Sequence, residues 1–156
     1  MSDLESKLCH ASQALTFIDK HRDDAEKLAR EVNVPVENIL GLAAEESLYG
    51  TGRIAKTYNN FFSMHAPAPF QTGEAPALGN NKVKVAIFLS FYQSGQSFLQ
   101  KFGPKIKSIS DPLMFGQALV NAGYNSGDAS TGGRPGFARY LADIIWMVKQ
   151  RMACVK

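Results

Sequence analysis

The chain has 156 residues, 45% hydrophobic and 20% charged, the composition of an ordinary globular domain. A chain of this length can bury a core without metals or dense disulfides, and no run approaches the roughly 18 apolar residues of a membrane span. The net charge of +3 divides unevenly: residues 1–50 carry 5 Lys/Arg against 10 Asp/Glu, and residues 51–156 carry 12 against 4. The basic second part would attract a polyanion such as nucleic acid, an anionic membrane or a negatively charged cell-wall glycan. No compact Lys/Arg run is interleaved with aromatics, which argues against nucleic acid as a partner.

The N-terminal "MSDLESKLCHASQAL" has early acidic residues and no apolar h-region, unlike a secretory signal. The chain is expected to be cytosolic, exported by a route that needs no such signal, or shorn of its leader. Ser2 and Glu5 form a capping-box pattern before a helix with Leu4, Leu8, Ala11, Leu15 and Ile18 on one face. A second short helix carries Ala25, Leu28, Ala29 and Val32. A third has Pro35 in its first turn and stops at Gly50. The Pro/Gly-rich stretch 65–81 cannot continue a helix. The run "KVKVAIFLSFY" alternates in its first half and reads as an extended or hairpin strand, although "AIFLSF" alone also fits a buried helix. Ser94 is placed as the cap of a helix through Phe98, Leu99 and Phe102. Ser110 or Asp111 caps the next, with Pro112 in its first turn. After the loop "NSGDASTGGRPG", a last helix has Phe137, Tyr140, Leu141, Ile144, Ile145 and Val148 at helical spacing. With no repeat and no linker, residues 1–156 read as one mainly helical domain with a small β element.

Cys9 and Cys154 stand near opposite ends of the chain. They are either two unpaired thiols packed in terminal helices or a disulfide joining the termini, which would imply an oxidising compartment. No metal is expected, because His10, His21 and His65 lack ligand spacing and no Cys-x-x-Cys occurs. No cofactor is expected either.

The adjacent glutamates of "AAEESLYG" cannot share one helix face. At about 100° per residue, Glu46 lies about 35° from the centre of the apolar face set by Val36, Ile39, Leu42 and Ala43, and Glu45 about 135°. Glu45 is therefore expected in solvent and Glu46 on the inner face. A carboxyl there is costly when charged and unpaired. Desolvation raises its proton affinity, the character of a general acid. The alternative is a buried Glu46 paired with Arg53, Lys56 or a backbone amide.

The stretch "AAEESLYGTGRIAKTYNNFFSMH" resembles the family 73 glycoside hydrolases, lysozyme-like N-acetylglucosaminidases of bacterial cell walls. Ala44, Glu46, Ser47, Tyr49 and Gly50 match the family's A-x-E-S-x-W-G, with Tyr for Trp. Ala55, Asn59, Asn60 and Phe62 match the A-x-x-x-N-N-x-F that follows. The likeness continues faintly through Glu74, "VKVAIFLSFYQSGQSF" and "AGYNS…FARYLADII", over residues 30–148. It implies a mainly α, lysozyme-like fold with a small β/loop lobe beside a cleft. It puts Glu46 in the place of the catalytic general acid, and Glu74 where the family often has a second carboxylate. Tyr124 takes the place of a tyrosine near the cleaved bond. Glu74 as a plain loop residue and Tyr124 as a core aromatic are the alternatives. Tyr49, Asn59, Asn60, Phe61 and Phe62 would line the sugar site, with one of the two phenylalanines packed in the core instead. Three departures stand out: Ser63 replaces the family's Gly, His65 its usual Lys, and "GDASTGGRPG" interrupts the segment around Asp128.

The resemblance implies a peptidoglycan hydrolase, an endo-β-N-acetylglucosaminidase cleaving the β-1,4 bond after N-acetylglucosamine. Glu46 would protonate the leaving oxygen, with Glu74 or the substrate's acetamide assisting. Alternatives are a lytic transglycosylase or muramidase of the same fold, or a non-catalytic glycan-binding module. The substrate lies in the periplasm or cell wall. A chain without a signal peptide would reach it by a specialised secretion route or by lysis, as an interbacterial toxin or a phage lysin. A toxin implies a cognate immunity protein that blocks the cleft.

Overall fold

The computed structural model describes residues 3–77, 80–131 and 133–155. Helix α1 spans Asp3–Cys9 and α2 spans Ser12–Val32. In α2 the buried residues Ala14, Phe17, Ile18, His21, Ala25, Leu28, Ala29 and Val32 recur at helical spacing from end to end. The charged stretch at 19–24 thus sits on the outer side of one helix rather than between two. The break expected between Ile18 and Ala25 falls instead at His10–Ala11. The Ser2 half of the expected cap lies outside the described residues. Asn33, left-handed at φ 55°, ends α2, and Pro35 precedes α3 (Val36–Ser47).

Helix α4 covers Arg53–Tyr58. Strand β1 (Gly73–Ala77) then pairs antiparallel with β2 (Asn80–Ile87), Glu74 opposite Ala86 and Ala75 opposite Val85. The stretch 65–81, expected only to be non-helical, thus supplies the hairpin's first strand. Helix α5 (Phe91–Ile106) starts three residues before the expected cap. Ser90 is the cap, its hydroxyl accepting from the Gln93 N–H at 3.1 Å. Ser94 is buried and donates to the Phe91 carbonyl. Helix α6 (Pro112–Asn121) is capped by Asp111, which accepts from the Met114 N–H at 2.9 Å. A short 3-10 turn at Ala129–Thr131 precedes α7 (Phe137–Met152).

These elements share one hydrophobic core, and α3 runs through it between α2 and α7. Ile39, Leu40, Leu42, Ala43 and Ala44 are all 0% exposed, so the helix is buried on nearly every side. Its approach to α7 needs a glycine. A Cβ on Gly41 would stand 2.7 Å from Ile145 Cγ1 and 3.0 Å from its Cα, which is overpacking. Among the described residues no helix is long and apolar enough to cross a membrane.

The β hairpin is fastened to this body by one buried amide. Asn60 Nδ2 donates to the carbonyls of Met64 at 2.8 Å and Ala86 at 2.9 Å, and its Oδ1 accepts from the Met64 N–H at 2.9 Å. Beside it Asn59, left-handed at φ 53°, closes α4 and donates to the Phe88 carbonyl. At the other end of the molecule Cys9 and Cys154 form a disulfide that ties α1 to the residues after α7. Arg151 donates to the Leu8 carbonyl and Arg22 to those of Met152 and Val155, holding the same junction.

Two outcomes follow. Closing a loop across a sequence separation of 145 residues should contribute about 4–5 kcal/mol on the chain-entropy model. Urea unfolding of the Cys9→Ser/Cys154→Ser protein should show most of that loss; coincident curves would remove the disulfide from the stability account. Asn60→Ala removes the amide that serves the Ala86 carbonyl and the Met64 N–H, the Met64 carbonyl keeping its bond from the Ala86 N–H, a loss of about 2–3 kcal/mol, read in the same assay.

Candidate active site

Helix α3 ends on Ser47, whose buried hydroxyl donates to the Ala43 carbonyl at 2.6 Å and accepts from the Gly50 N–H at 2.9 Å. The chain then turns through three left-handed residues, Leu48, Tyr49 and Gly50, at φ 52°, 54° and 77°. Only the last is a glycine, so the turn is strained and relies on the Ser47 clasp and the Tyr49 N–H to Ala44 carbonyl bond at 2.8 Å. The helix was expected to continue to Gly50; it stops three residues earlier, which fixes Glu46 in its last turn.

Glu45 and Glu46 are both half-buried. This corrects the expectation that Glu45 is an ordinary surface residue. Glu45 Oε2 is enclosed without a hydrogen-bond partner, while the two carboxyl groups are hydrogen-bonded to each other. Ionised carboxylates only accept hydrogen bonds, so this contact favours the acid form of Glu45. Burial first, then the hydrogen bond and charge of Glu46, push Glu45 up to about 9; the Arg134 guanidinium works in the opposite sense. The wheel failed because it assumes one face in solvent. The run "ILGLAA" is apolar all round, the signature of a buried helix, and that signal could have placed Glu45 inside.

Tyr124 meets the same pair. Its hydroxyl lies 2.7 Å from the Phe62 carbonyl, to which it donates, and within hydrogen-bond contact of Glu46. Burial, then the charge and hydrogen bond of Glu46, hold it well above the ordinary tyrosine value, so it stays neutral. With its proton on the Phe62 carbonyl, the oxygen accepts from Glu46 in the acid form. Turned the other way, the hydroxyl donates to the Glu46 carboxylate.

Glu46 opens onto a groove of about 470 Å³. Ser63, Met64 and His65 line one wall, Lys101 and Phe102 of α5 another, and Tyr124, Asn125, Ser126 and Gly133 the third. Ser63 adopts φ 52°, a left-handed conformation in which a glycine is at no steric disadvantage. The inserted loop is folded back on itself. Asn125 Oδ1 accepts from the N–H groups of Gly127 and Arg134 at 2.9 and 3.0 Å, and Gly133 donates to the Asp128 carbonyl. Arg134 stacks on Tyr140, 3.5 Å from the ring centre. Asp128 accepts from the N–H and hydroxyl of Ser130 at 2.9 Å; these bonds hold its carboxyl below the ordinary value. Sequence reasoning missed the parts played here by Glu45 and Arg134, and the lining by Lys101 and Asn125.

Of the other anticipated site residues, most lie elsewhere. Asn60, Phe61 and Phe62 are buried at 2%, 6% and 0% exposure, the amide serving the hairpin and the rings the core. Phe62 stacks on Phe98 at 5.2 Å, and Phe98 and Phe102 set their faces against Tyr124. Asn60 and Phe62 of the Asn-Asn-x-Phe motif thus lie behind Tyr124, while Asn59 and Phe61 line a second groove. Glu74 is exposed on β1 and absent from the groove lining. Tyr49 and Asn59 border a second groove of about 440 Å³, with Phe17, Lys20 and Lys56. There the Tyr49 hydroxyl accepts from Arg151 at 2.6 Å, which the Tyr-for-Trp difference makes available. His21 at this groove stacks on Phe91 at 4.3 Å; burial and Lys20 lower it to about 4, so it is neutral at pH 7.

Comparison with known proteins gives the same direction. Residues 22–150 match the Glucosaminidase family model, described as mannosyl-glycoprotein endo-β-N-acetylglucosaminidase. The chain is 52% identical to one in a type VI secretion system effector–immunity complex from Pseudomonas protegens. That alignment covers 95% of this chain and 99% of the other, with a TM-score of 0.86. A peptidoglycan hydrolase from Sphingomonas sp. A1 is 25% identical, covering 90% and 95% at a TM-score of 0.71. The glycoside hydrolase domain of Salmonella typhimurium FlgJ shares the fold at 22% identity, covering 90% and 91% at 0.69. No curated protein sequence matches the chain. With a family match over most of its length, the chain belongs to the glucosaminidases of glycoside hydrolase family 73, and its fold is their lysozyme-like fold.

Proposed function

We propose that the Glu46 groove hydrolyses the β-1,4 bond after N-acetylglucosamine in peptidoglycan. The observation that carries this is the Glu46 carboxyl at the groove wall, with the enclosed Glu45 carboxyl and a neutral tyrosine both in contact with it. Glu46 delivers its proton to the leaving oxygen as positive charge develops at C1. Among the described residues lining the groove, Glu46 is the one carboxylate. The substrate's own acetamide oxygen then attacks C1 as the bond to the leaving sugar breaks. Water opens that cyclic intermediate, its hydroxyl staying on C1 and its proton returning to Glu46. Lys101 and His65 border the groove on a half of the chain with a strong excess of basic residues, which suits an acidic wall polymer.

The relative in the effector–immunity complex and the peptidoglycan hydrolase neighbour support a wider reading. We read the chain as an interbacterial toxin acting in the periplasm or cell wall, delivered by a specialised secretion route. Its partners would be glycan strands and a cognate immunity protein seated over the groove. The lytic transglycosylase, muramidase and non-catalytic readings each leave a different product.

Digestion of purified peptidoglycan, followed by reduction and mass spectrometry, separates these. Hydrated fragments with N-acetylglucosamine at the new reducing end are expected. Glu46→Gln should lose about 10³-fold in rate, whereas Glu74→Gln should stay within about threefold, as a side chain outside the groove does. Anhydro ends would mean a transglycosylase, N-acetylmuramic acid ends a muramidase, and binding without fragments a glycan-binding module. An equally steep loss in Glu74→Gln would show that the hairpin carries the second carboxylate into the reaction.

A further inference from the structure

The groove at Tyr49 plays no part in the reaction above, yet two helices turn free polar side chains into it. Ser12, Thr16 and Lys20 recur at every fourth residue, so α2 presents one polar stripe to the groove. Lys56 enters from α4. No Asp or Glu is among the described residues of the lining, and Asp19, Asp23 and Asp24 of α2 lie outside it. Among the described residues neither lysine forms an ion pair, and the side chains of Gln13, Thr16 and both lysines enter no hydrogen bond.

Beneath these groups Phe17 and Phe61 give an apolar floor. Tyr49 stands at one end, half-buried, its ring edge-on to Phe17 at 5.9 Å and its hydroxyl held by Arg151. Past Tyr49 the depression continues into a neighbouring groove of about 390 Å³, which shares Ser12, Gln13 and Tyr49 and reaches Arg151. A rigid apolar floor with free hydroxyl, amide and ammonium groups above it suits an anionic sugar polymer. The hydroxyls and the amide can pair with sugar hydroxyl and acetamido groups, and the lysines with the carboxylates of peptide stems.

We propose that this groove is a second, non-catalytic binding site for peptidoglycan, which anchors the protein on the wall while the Glu46 groove cleaves. The proposal rests on the wall polymer being the substrate, as read above. Residues 59–65 form the partition between the two grooves: Asn59 and Phe61 line one, Ser63, Met64 and His65 the other. A polymer held on one side of that partition keeps further repeats within reach of the other. Its effective concentration at Glu46 rises without any new contact at the cleaved bond. The anchor therefore acts on capture of the polymer and leaves the chemical step alone.

The test is co-sedimentation with purified insoluble peptidoglycan, in the Glu46→Gln protein so that the wall is not digested. Adding Lys20→Glu and Lys56→Glu should weaken binding about tenfold at low salt. Lys107→Glu with Lys149→Glu makes the same change in net charge on exposed lysines outside both grooves. That pair should stay within about twofold, because a charge distant from the bound polymer is screened. With Glu46 restored, Lys20→Glu/Lys56→Glu should raise KM on insoluble wall and leave kcat on soluble fragments unchanged. Equal losses in the two lysine pairs would reduce the effect to net charge and overturn the proposal, as would unchanged sedimentation in Lys20→Glu/Lys56→Glu. A titration of Glu46→Gln, its lysines intact, with a soluble peptide-bearing glycan fragment needs no surface variant to fold. The amide resonances of Thr16, Lys20 and Lys56 should shift together with those of Ser63–His65, and shifts confined to the latter also overturn the proposal. If wild type releases no fragments the hydrolase reading fails by itself, and sedimentation still decides the second groove.

Discussion

The site depends on one constraint: α3 is buried on nearly every side and still ends at a groove. A helix of this kind has no wet face on which to leave a charge. Glu45 and Glu46, the acidic residues of its last turn, must therefore satisfy each other. They lie against each other beside the Tyr124 hydroxyl, and burial raises the proton affinity of Glu45. The energy that keeps such a pair inside comes from the surrounding packing, above all the close contact of Gly41 with Ile145. The Ser47 clasp and the left-handed turn at Leu48–Gly50 then stop the helix before the pair would be swept away from the opening.

The rest of the molecule holds the walls around this point. Phe62, Phe98, Phe102 and Tyr124 form a contiguous aromatic stack that sets the tyrosine hydroxyl. The Phe62 carbonyl accepts that hydroxyl's hydrogen bond, and it belongs to the same residue whose ring anchors the cluster. Asn60 joins the stack's backbone to the hairpin, so the β lobe and the proton site share one support. The disulfide reaches the site by a longer route. It pins the end of α7, α7 carries Arg151, and Arg151 holds Tyr49 in the strained turn after Glu46.

Sequence periodicity carried far where an element has one wet side. The last helix, the Asp111 cap and the strand at "KVKVAI" were all legible, because amphipathic spacing and capping chemistry are local. Glu46 was singled out by the wheel and by the family motif independently, and it lines the groove. What escaped was set by tertiary contact. The long α2 hid its continuity under a run of charged outer residues. Glu45 was misplaced because a one-faced wheel does not describe a central helix. Asn60, Phe61 and Phe62 were read as sugar contacts because amides and aromatic rings suit sugars. Only burial reveals that this amide satisfies backbone groups and these rings fill the core. Arg134 had no signal at all in a segment legible only as loop.

Among the grooves lined by described residues, two of similar volume lie at Glu46 and at Tyr49, Lys20 and Lys56. The account places the chemistry at the first. Its most direct test is a crystal structure of the Glu46→Gln protein soaked with a tetrasaccharide of alternating N-acetylglucosamine and N-acetylmuramic acid. The account predicts the sugar chain between Ser63–His65 and Asn125–Ser126, with the glycosidic oxygen after N-acetylglucosamine about 3 Å from the residue-46 amide. A tetrasaccharide seated along Tyr49 and the two lysines, with the Glu46 groove empty, would contradict it.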